Sequence, residues 1–162
     1  MIQAPTITEA DVVAALRDVY DPEIPNLSLV DLGIYRGVSI TPEGLAITIT
    51  PTFVGCPAID YMQEQIVEHC ATLWPDTPVQ VKVSHDRAWT SDQISEEGRV
   101  RLKQAGFAPP PRGTLIRLEP LVECPYCNSR NTMLENAFGP TLCRAIYYCK
   151  SCRQPFEQFK AV

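Results

Sequence analysis

Four of the seven cysteines fall into two matched pairs, Cys124-Pro-Tyr-Cys127 and Cys149-Lys-Ser-Cys152. Each pair is a C-x2-C bite, and two bites supply the four thiolates that a closed, tetrahedral structural zinc site requires. The 21 residues between Cys127 and Cys149 leave room for a β-hairpin, slightly longer than the usual spacing. Matched bites in a chain with an odd number of cysteines argue for a metal and a reducing compartment rather than a disulfide framework. Four thiolates can also hold iron, but zinc is the expected ion. Cys143 competes for the role of ligand. If 142–149 is one strand at about 3.3 Å per residue, Cys143 sits roughly 20 Å from Cys149 and is a spare thiol.

Cys56 is the second candidate, in Thr52-Phe-Val-Gly55-Cys56-Pro57 between a strand and a helix. With Pro57 at the first helical position, Cys56 falls at or beside the N-cap, where backbone N–H groups and the positive dipole end favour a thiolate. Gly55 would allow close approach of a backbone or ligand. The alternative is a small buried thiol. Asp21-Pro22-Glu23-Ile24-Pro25, followed by Asp31-Leu-Gly33, forms an acidic loop. Its Asp21 and Glu23 carboxylates could bind a metal or a partner's basic group, or could serve only to start a turn. His85-Asp86-Arg87 has the residue types of a base beside a thiol nucleophile. Adjacent residues in an extended segment point to opposite sides, so no catalytic group is assigned there.

The elements that must position these residues are legible from caps and periodicity. Thr8, with Asp11 three residues on, caps a first helix striped by Val12, Leu16 and Val19, which must end before Asp21-Pro22. Runs over 34–40 and 45–50 form a hairpin around Thr41-Pro-Glu-Gly44, with Leu45, Ile47 and Ile49 alternating inward. A second helix is expected over roughly 57–74, with Met62, Ile66 and Cys70 in the core and His69 on the surface. Val79, Val81 and Val83 make a third strand, and a third helix over about 95–105 is capped by Ser95 and stopped by Gly106. The three prolines within 108–113 read as a spacer. The expected fold class is α/β (α+β): a small mixed sheet with flanking helices, then a C-terminal zinc-ribbon β subdomain. The expected domains are 1–107, a linker at 108–113, and a ribbon over 114–162.

At 162 residues, 45% hydrophobic and 20% charged, the composition is that of a globular protein. Neither a signal peptide nor a membrane-spanning run is read in the sequence, so the expectation is a cytoplasmic protein with no membrane partner. Residues 1–107 carry 7 Lys/Arg against 15 Asp/Glu, and residues 108–162 carry 7 against 4. An acidic body with pI near 5.0 lacks the cations that nucleic-acid affinity draws on, so no nucleic-acid partner is expected.

The acidic loop, Asp31-Leu-Gly33 and the Gly55-Cys56-Pro57 turn together look like the SufT-type iron–sulfur assembly family. Trp89-Thr-Ser-Asp92, Gly98-Arg99, Gly106-Phe107-Ala108-Pro109-Pro110, Phe138-Gly139 and Phe156-Glu-Gln-Phe159-Lys resemble its PaaD branch, encoded with the multicomponent phenylacetyl-CoA epoxidase. The resemblance covers nearly the whole chain; Ser84-His-Asp-Arg-Ala-Trp89 departs from the branch's proline-containing pattern, and no role passes to His85 or Asp86. It implies a non-enzymatic accessory subunit of phenylacetate catabolism that matures an iron–sulfur or di-iron centre. The reductase and oxygenase components would be its partners. It also implies that Cys56 handles a transient iron–sulfur cargo or a partner thiol, with Asp21 and Glu23 on the same face. One thiol cannot hold a cluster, so a homodimer or a partner must complete the site. A structural Zn2+ is expected in the ribbon, whose positive balance suits an acidic partner. The rival readings are a bridging subunit of the same complex and a thiol enzyme using Cys56.

Overall fold

The first helix, α1 (Glu9–Leu16), begins where Thr8 turns extended backbone into helix. The Thr8 hydroxyl accepts the Asp11 N–H while the Asp11 carboxylate accepts the Thr8 N–H at 2.8 Å, a reciprocal capping box. Val12 and Leu16 are fully buried. The computed structural model describes residues 6–113 and 122–160, which fall into two compact units dividing after Trp89.

In the first unit, β1 (Tyr35–Thr41) pairs antiparallel with β2 (Gly44–Ile49), and β2 pairs parallel with β3 (Val79–Val83). The sheet order is β1-β2-β3, mixed as expected. The central strand buries Leu45, Ile47 and Ile49 on alternate positions, the two-residue period of a half-buried strand. The parallel pairing needs a crossover, supplied by α2 (Ile59–Leu73), whose Met62, Ile66 and Cys70 form the buried stripe. Gln63 Nε2 donates to the Val81 carbonyl at 3.2 Å and ties that helix to β3. Trp89 closes the unit: its ring is buried and its indole N–H donates to the Leu32 carbonyl at 2.9 Å.

The second unit opens with a 3-10 turn over Ser91–Gln93 and α3 (Glu96–Gln104), where the Ser95 hydroxyl accepts the Gly98 N–H at 2.9 Å. Four strands follow: β4 (Phe107–Ala108), β5 (Thr132–Asn136), β6 (Arg144–Cys149) and β7 (Pro155–Phe159), in the order β4-β7-β6-β5. Ala108, Val122, Cys124, Ala145, Tyr147, Cys149 and Phe156 form its core, with the Tyr147 and Phe156 rings stacked at 5.8 Å. Arg144 is buried but paired: Glu157 meets it at 3.1 Å and its guanidinium lies 4.7 Å from the Phe107 ring centroid.

The expected boundary at 108–113 differs from the observed division after Trp89. Phe107 and Ala108 pair with β7, so α3 and β4 are built into the ribbon unit rather than the sheet unit. The proline run is held there too. Arg99 donates to the Pro110 carbonyl, Gly113 N–H donates to Asp92 at 3.0 Å, and Arg112 pairs with Glu96. Residues 114–121, the start of the expected ribbon, lie outside the described residues.

Candidate functional site

The two cysteine bites fold into backbone loops of the same construction. In the first, Asn128 N–H donates to the Cys124 carbonyl at 2.9 Å and Cys124 N–H to the Ser129 carbonyl at 2.9 Å. In the second, Arg153 N–H donates to the Cys149 carbonyl at 2.8 Å and Cys149 N–H to the Gln154 carbonyl at 3.0 Å. Asn128 and Arg153, each just after its bite, both adopt φ 61°. That left-handed turn folds the chain back so that both sulfurs of a bite face one point. Ser129 and Ser151 hydroxyls, 2.8 Å apart, link the loops.

The result is one cluster in which the Cys124, Cys127, Cys149 and Cys152 sulfurs all lie within 4.8 Å of one another. Cys124 and Cys152 are 3.7 Å apart, Cys127 and Cys149 3.6 Å. A tetrahedron with zinc–sulfur bonds of about 2.3 Å has edges of about 3.8 Å. The donor set and its spacing therefore fit structural zinc. N–H groups of Cys152 and Ser151 pointing at the Cys149 sulfur lower that thiol, while burial and the neighbouring thiols raise Cys152. Cys143 lies outside the group, immediately before β6, with its sulfur 3.1 Å from the Thr141 hydroxyl.

All seven cysteines are thiols. Cys70 is fully buried and burial pushes it up to about 11, the behaviour of a core thiol. Cys56 is different: it is half-buried, beside Val54, which is 83% exposed. The expected N-terminus of its helix needs correction. Helix α2 begins at Ile59 with Ala58 as N-cap, so Pro57 is not its first residue and Cys56 sits in the turn before it. Ile59 N–H donates to the Cys56 carbonyl at 3.2 Å and Cys56 N–H to the Phe53 carbonyl at 3.3 Å, so that turn closes on its own backbone. Gly55 has φ +80° and nothing within 4 Å of where a Cβ would stand. The glycine answers to the turn's left-handed backbone rather than to a close approach.

In the acidic loop, the Asp21 carboxylate accepts the N–H groups of Glu23 at 2.8 Å and Ile24 at 3.0 Å, which fixes the turn, and Glu23 is exposed. Among the described residues, the ribbon cysteines form the one group of three or more metal-type ligands, so Cys56, Asp21 and Glu23 do not make such a group. Asp31 was legible only as part of a motif. It proves to be buried, accepting from the Ser28 hydroxyl at 2.8 Å and pairing with Arg17 at 3.1 Å. His85 and Asp86 are exposed, with Asp86 accepting from the Ser84 hydroxyl at 3.0 Å. His69 was expected on the surface; it is half-buried beside the Ile66–Cys70 stripe, and its Nε2 is buried without a hydrogen-bond partner among the described residues.

The sheet unit and its helices define a class first. A crystal structure of a domain of unknown function, DUF59, from Bacillus anthracis is 26% identical, with a TM-score of 0.54 over 58% of this chain and 90% of that one. A conserved hypothetical protein of Thermotoga maritima is likewise 26% identical, with a TM-score of 0.52 over 61% of this chain and 97% of that one. Residues 9–83 match the family model of an iron–sulfur cluster assembly protein, and residues 108–160 match the PaaD zinc β-ribbon domain. One relative, of Escherichia coli strain K12, bears the name of a component of 1,2-phenylacetyl-CoA epoxidase; it is 42% identical across 94% of this chain and 92% of its own length. An Fe-S protein maturation auxiliary factor of Porphyromonas gingivalis is 34% identical across 59% of this chain and 90% of its own. This chain belongs to the PaaD family.

Proposed function

We propose that the protein is a non-catalytic accessory factor that matures a metal centre of a phenylacetyl-CoA epoxidase system. Its client is the iron–sulfur reductase component, with the di-iron oxygenase as the second choice. What carries the reading is one chain that joins an iron–sulfur assembly domain to a PaaD ribbon and aligns nearly end to end with a relative named as an epoxidase component. Two relatives named for Fe-S protein maturation support the assembly half. No helix among the described residues is long and apolar enough to cross a membrane.

In this reading Cys56 is the thiol that meets incoming cargo or a partner thiol. Its partial exposure in a rigid turn supports that role: a thiolate is a soft ligand suited to iron. A single sulfur holds no cluster, so the client or a second copy supplies the remaining ligands. Asp21 and Glu23 present negative charge from a fixed loop, and the ribbon cysteines hold zinc to keep the second unit folded. The test is the iron content of each epoxidase component produced with and without this protein. Cys56→Ser is expected to leave the fold and its melting unchanged while the reductase accumulates without its cluster. Full cluster loading with Cys56→Ser overturns the cargo role and leaves a bridging subunit.

A further inference from the structure

The loop between β5 and β6, residues 137–143, carries two strongly exposed apolar side chains, Phe138 at 68% and Leu142 at 62%. Its backbone is fixed. Phe138 N–H donates to Asn136 Oδ1 at 2.9 Å, Gly139 N–H to the Arg144 carbonyl at 2.9 Å and Arg144 N–H to the Thr141 carbonyl at 3.1 Å. Gly139 has no room for a side chain, since a Cβ there would stand 2.9 Å from that of Arg144. The Thr141 hydroxyl and the Cys143 sulfur lie 3.1 Å apart, so the side chains on either side of Leu142 are tied together and Leu142 is left to solvent. The chain just after β7 joins the same loop. Lys160 N–H donates to the Cys143 carbonyl at 2.8 Å, and the Lys160 ammonium lies 5.1 Å from the Phe138 ring centroid.

Apolar side chains held in solvent by a fixed loop lose freedom with little burial to offset it, and a patch of this kind marks an interaction surface. The ammonium has three N–H donors and turns one side to the ring, which leaves donors for an anion. Residues 137–143 and 158–160 contain no Asp or Glu, and the Glu157 carboxylate pairs with Arg144 at 3.1 Å. Among the described residues no carboxylate forms an ion pair with Lys160. We propose that Phe138, Leu142 and Lys160 form a docking patch for one helix of the client protein, with a large apolar side chain on Phe138 and Leu142 and a neighbouring carboxylate on the Lys160 ammonium. That the helix belongs to a client rests on the maturation reading above; the patch rests on the fixed loop, its exposure and the Lys160–Phe138 contact. Side chains four residues apart on a helix stand about 5–6 Å from each other, which matches the separation of cation and ring. A lipid surface suits the patch less well. The chain carries a net charge of −5, and its first unit has 4 Lys/Arg against 12 Asp/Glu, so an anionic membrane repels it. A single acidic helix is likewise kept off the first unit, which fixes where it docks.

The test uses full-length, zinc-loaded protein at low ionic strength and a fluorescein-labelled, alanine-based helical peptide in which glutamate and leucine recur four residues apart, read by anisotropy. Saturable binding is expected, weakened about tenfold by Phe138→Ser and about fivefold by Leu142→Ser. Lys160→Gln should weaken it about threefold, with no further loss when glutamine replaces glutamate in the peptide, because cation and carboxylate act as one pair. Met133→Ser, at an exposed apolar residue of β5, should change binding less than about twofold. Should Phe138→Ser lose its zinc, Leu142→Ser and Lys160→Gln decide. Binding that is absent, unchanged in those variants, or weakened as much by Met133→Ser overturns the patch. A concentration-dependent dimer that Leu142→Ser dissolves would make a second copy the occupant and also overturns it. So does co-sedimentation with phosphatidylglycerol vesicles that Leu142→Ser abolishes. Cys56→Ser should bind the peptide normally while failing in cluster loading, so the two readings fail separately.

Discussion

Arg153 occupies the left-handed region at φ 61°, where a residue with a Cβ is uncommon. The backbone bond pattern it shares with Asn128 is the reason: without that turn the second bite would not fold back on its own backbone. Residue types and spacing made the four ribbon ligands legible, because two x2 bites have few other uses. Cys56 was legible as a candidate but not in its setting, since proline is accepted both inside a helix start and in the turn before it, and here it took the turn. Thr8 and Asp11 were legible as a cap from their spacing. The Thr8 hydroxyl, then its N–H, holds the Asp11 carboxyl below its usual value. A depressed carboxylate contributes stability that is present at neutral pH and lost as pH falls through the carboxylate range. Thr8→Ala should therefore lower the melting temperature at pH 7 through loss of the cap. The gap between variant and native melting temperatures should shrink below the carboxylate range; a constant gap down to acid pH would show that the carboxylate takes no part.

At the scale of elements, the first unit was readable wherever a strand or helix shows one face to the core. The Leu45-Ile47-Ile49 alternation and the valines of β3 gave strands at the expected places, and the apolar stripe of α2 gave the crossover. Partner choice was harder. Phe107-Ala108 is too short for any periodicity, so its pairing with β7 follows from tertiary contact alone, and the unit boundary moved with it. Gly44 shows how tightly the hairpin is set against the chain before β3. It has φ +137°, and a Cβ there would collide with the Pro78 carbonyl, which itself accepts the Leu45 N–H at 2.8 Å. Gly44→Ala must distort either the hairpin or that bond. It should destabilise the first unit by about 2 kcal/mol or more, read as a lower urea midpoint at unchanged slope. Gly55→Ala, at φ +80° but in open space, should cost less, about 1 kcal/mol from backbone strain alone. Equal losses at the two positions would mean that conformation, not the Pro78 contact, governs both.

For the whole molecule, the division after Trp89 separates two ways of being stable. The first unit buries many leucines and isoleucines, among them Leu27, Leu29, Leu32, Ile34, Ile47, Ile49 and Ile66. The second has a smaller core in which two of the seven members, Cys124 and Cys149, are themselves proposed metal ligands. Its packing and its metal centre are thus the same structure. Structural zinc supplies apparent folding free energy of about 10 kcal/mol or more in small ribbons, which exceeds what so small a core provides. Stripping the metal with a strong chelator should therefore unfold the second unit while leaving the first intact. Both tryptophans, Trp74 and Trp89, lie in the first unit, whereas Tyr126, Tyr147 and Tyr148 lie in the second. The expected result is unchanged tryptophan emission beside a loss of strand circular dichroism and of tyrosine near-ultraviolet signal, with one zinc equivalent released per chain. Cys124→Ser or Cys149→Ser should reproduce that state without chelator. A red shift of tryptophan emission on zinc removal would show that the first unit does not stand on its own core, and a coloured protein that releases iron instead of zinc would overturn the assignment of the ion.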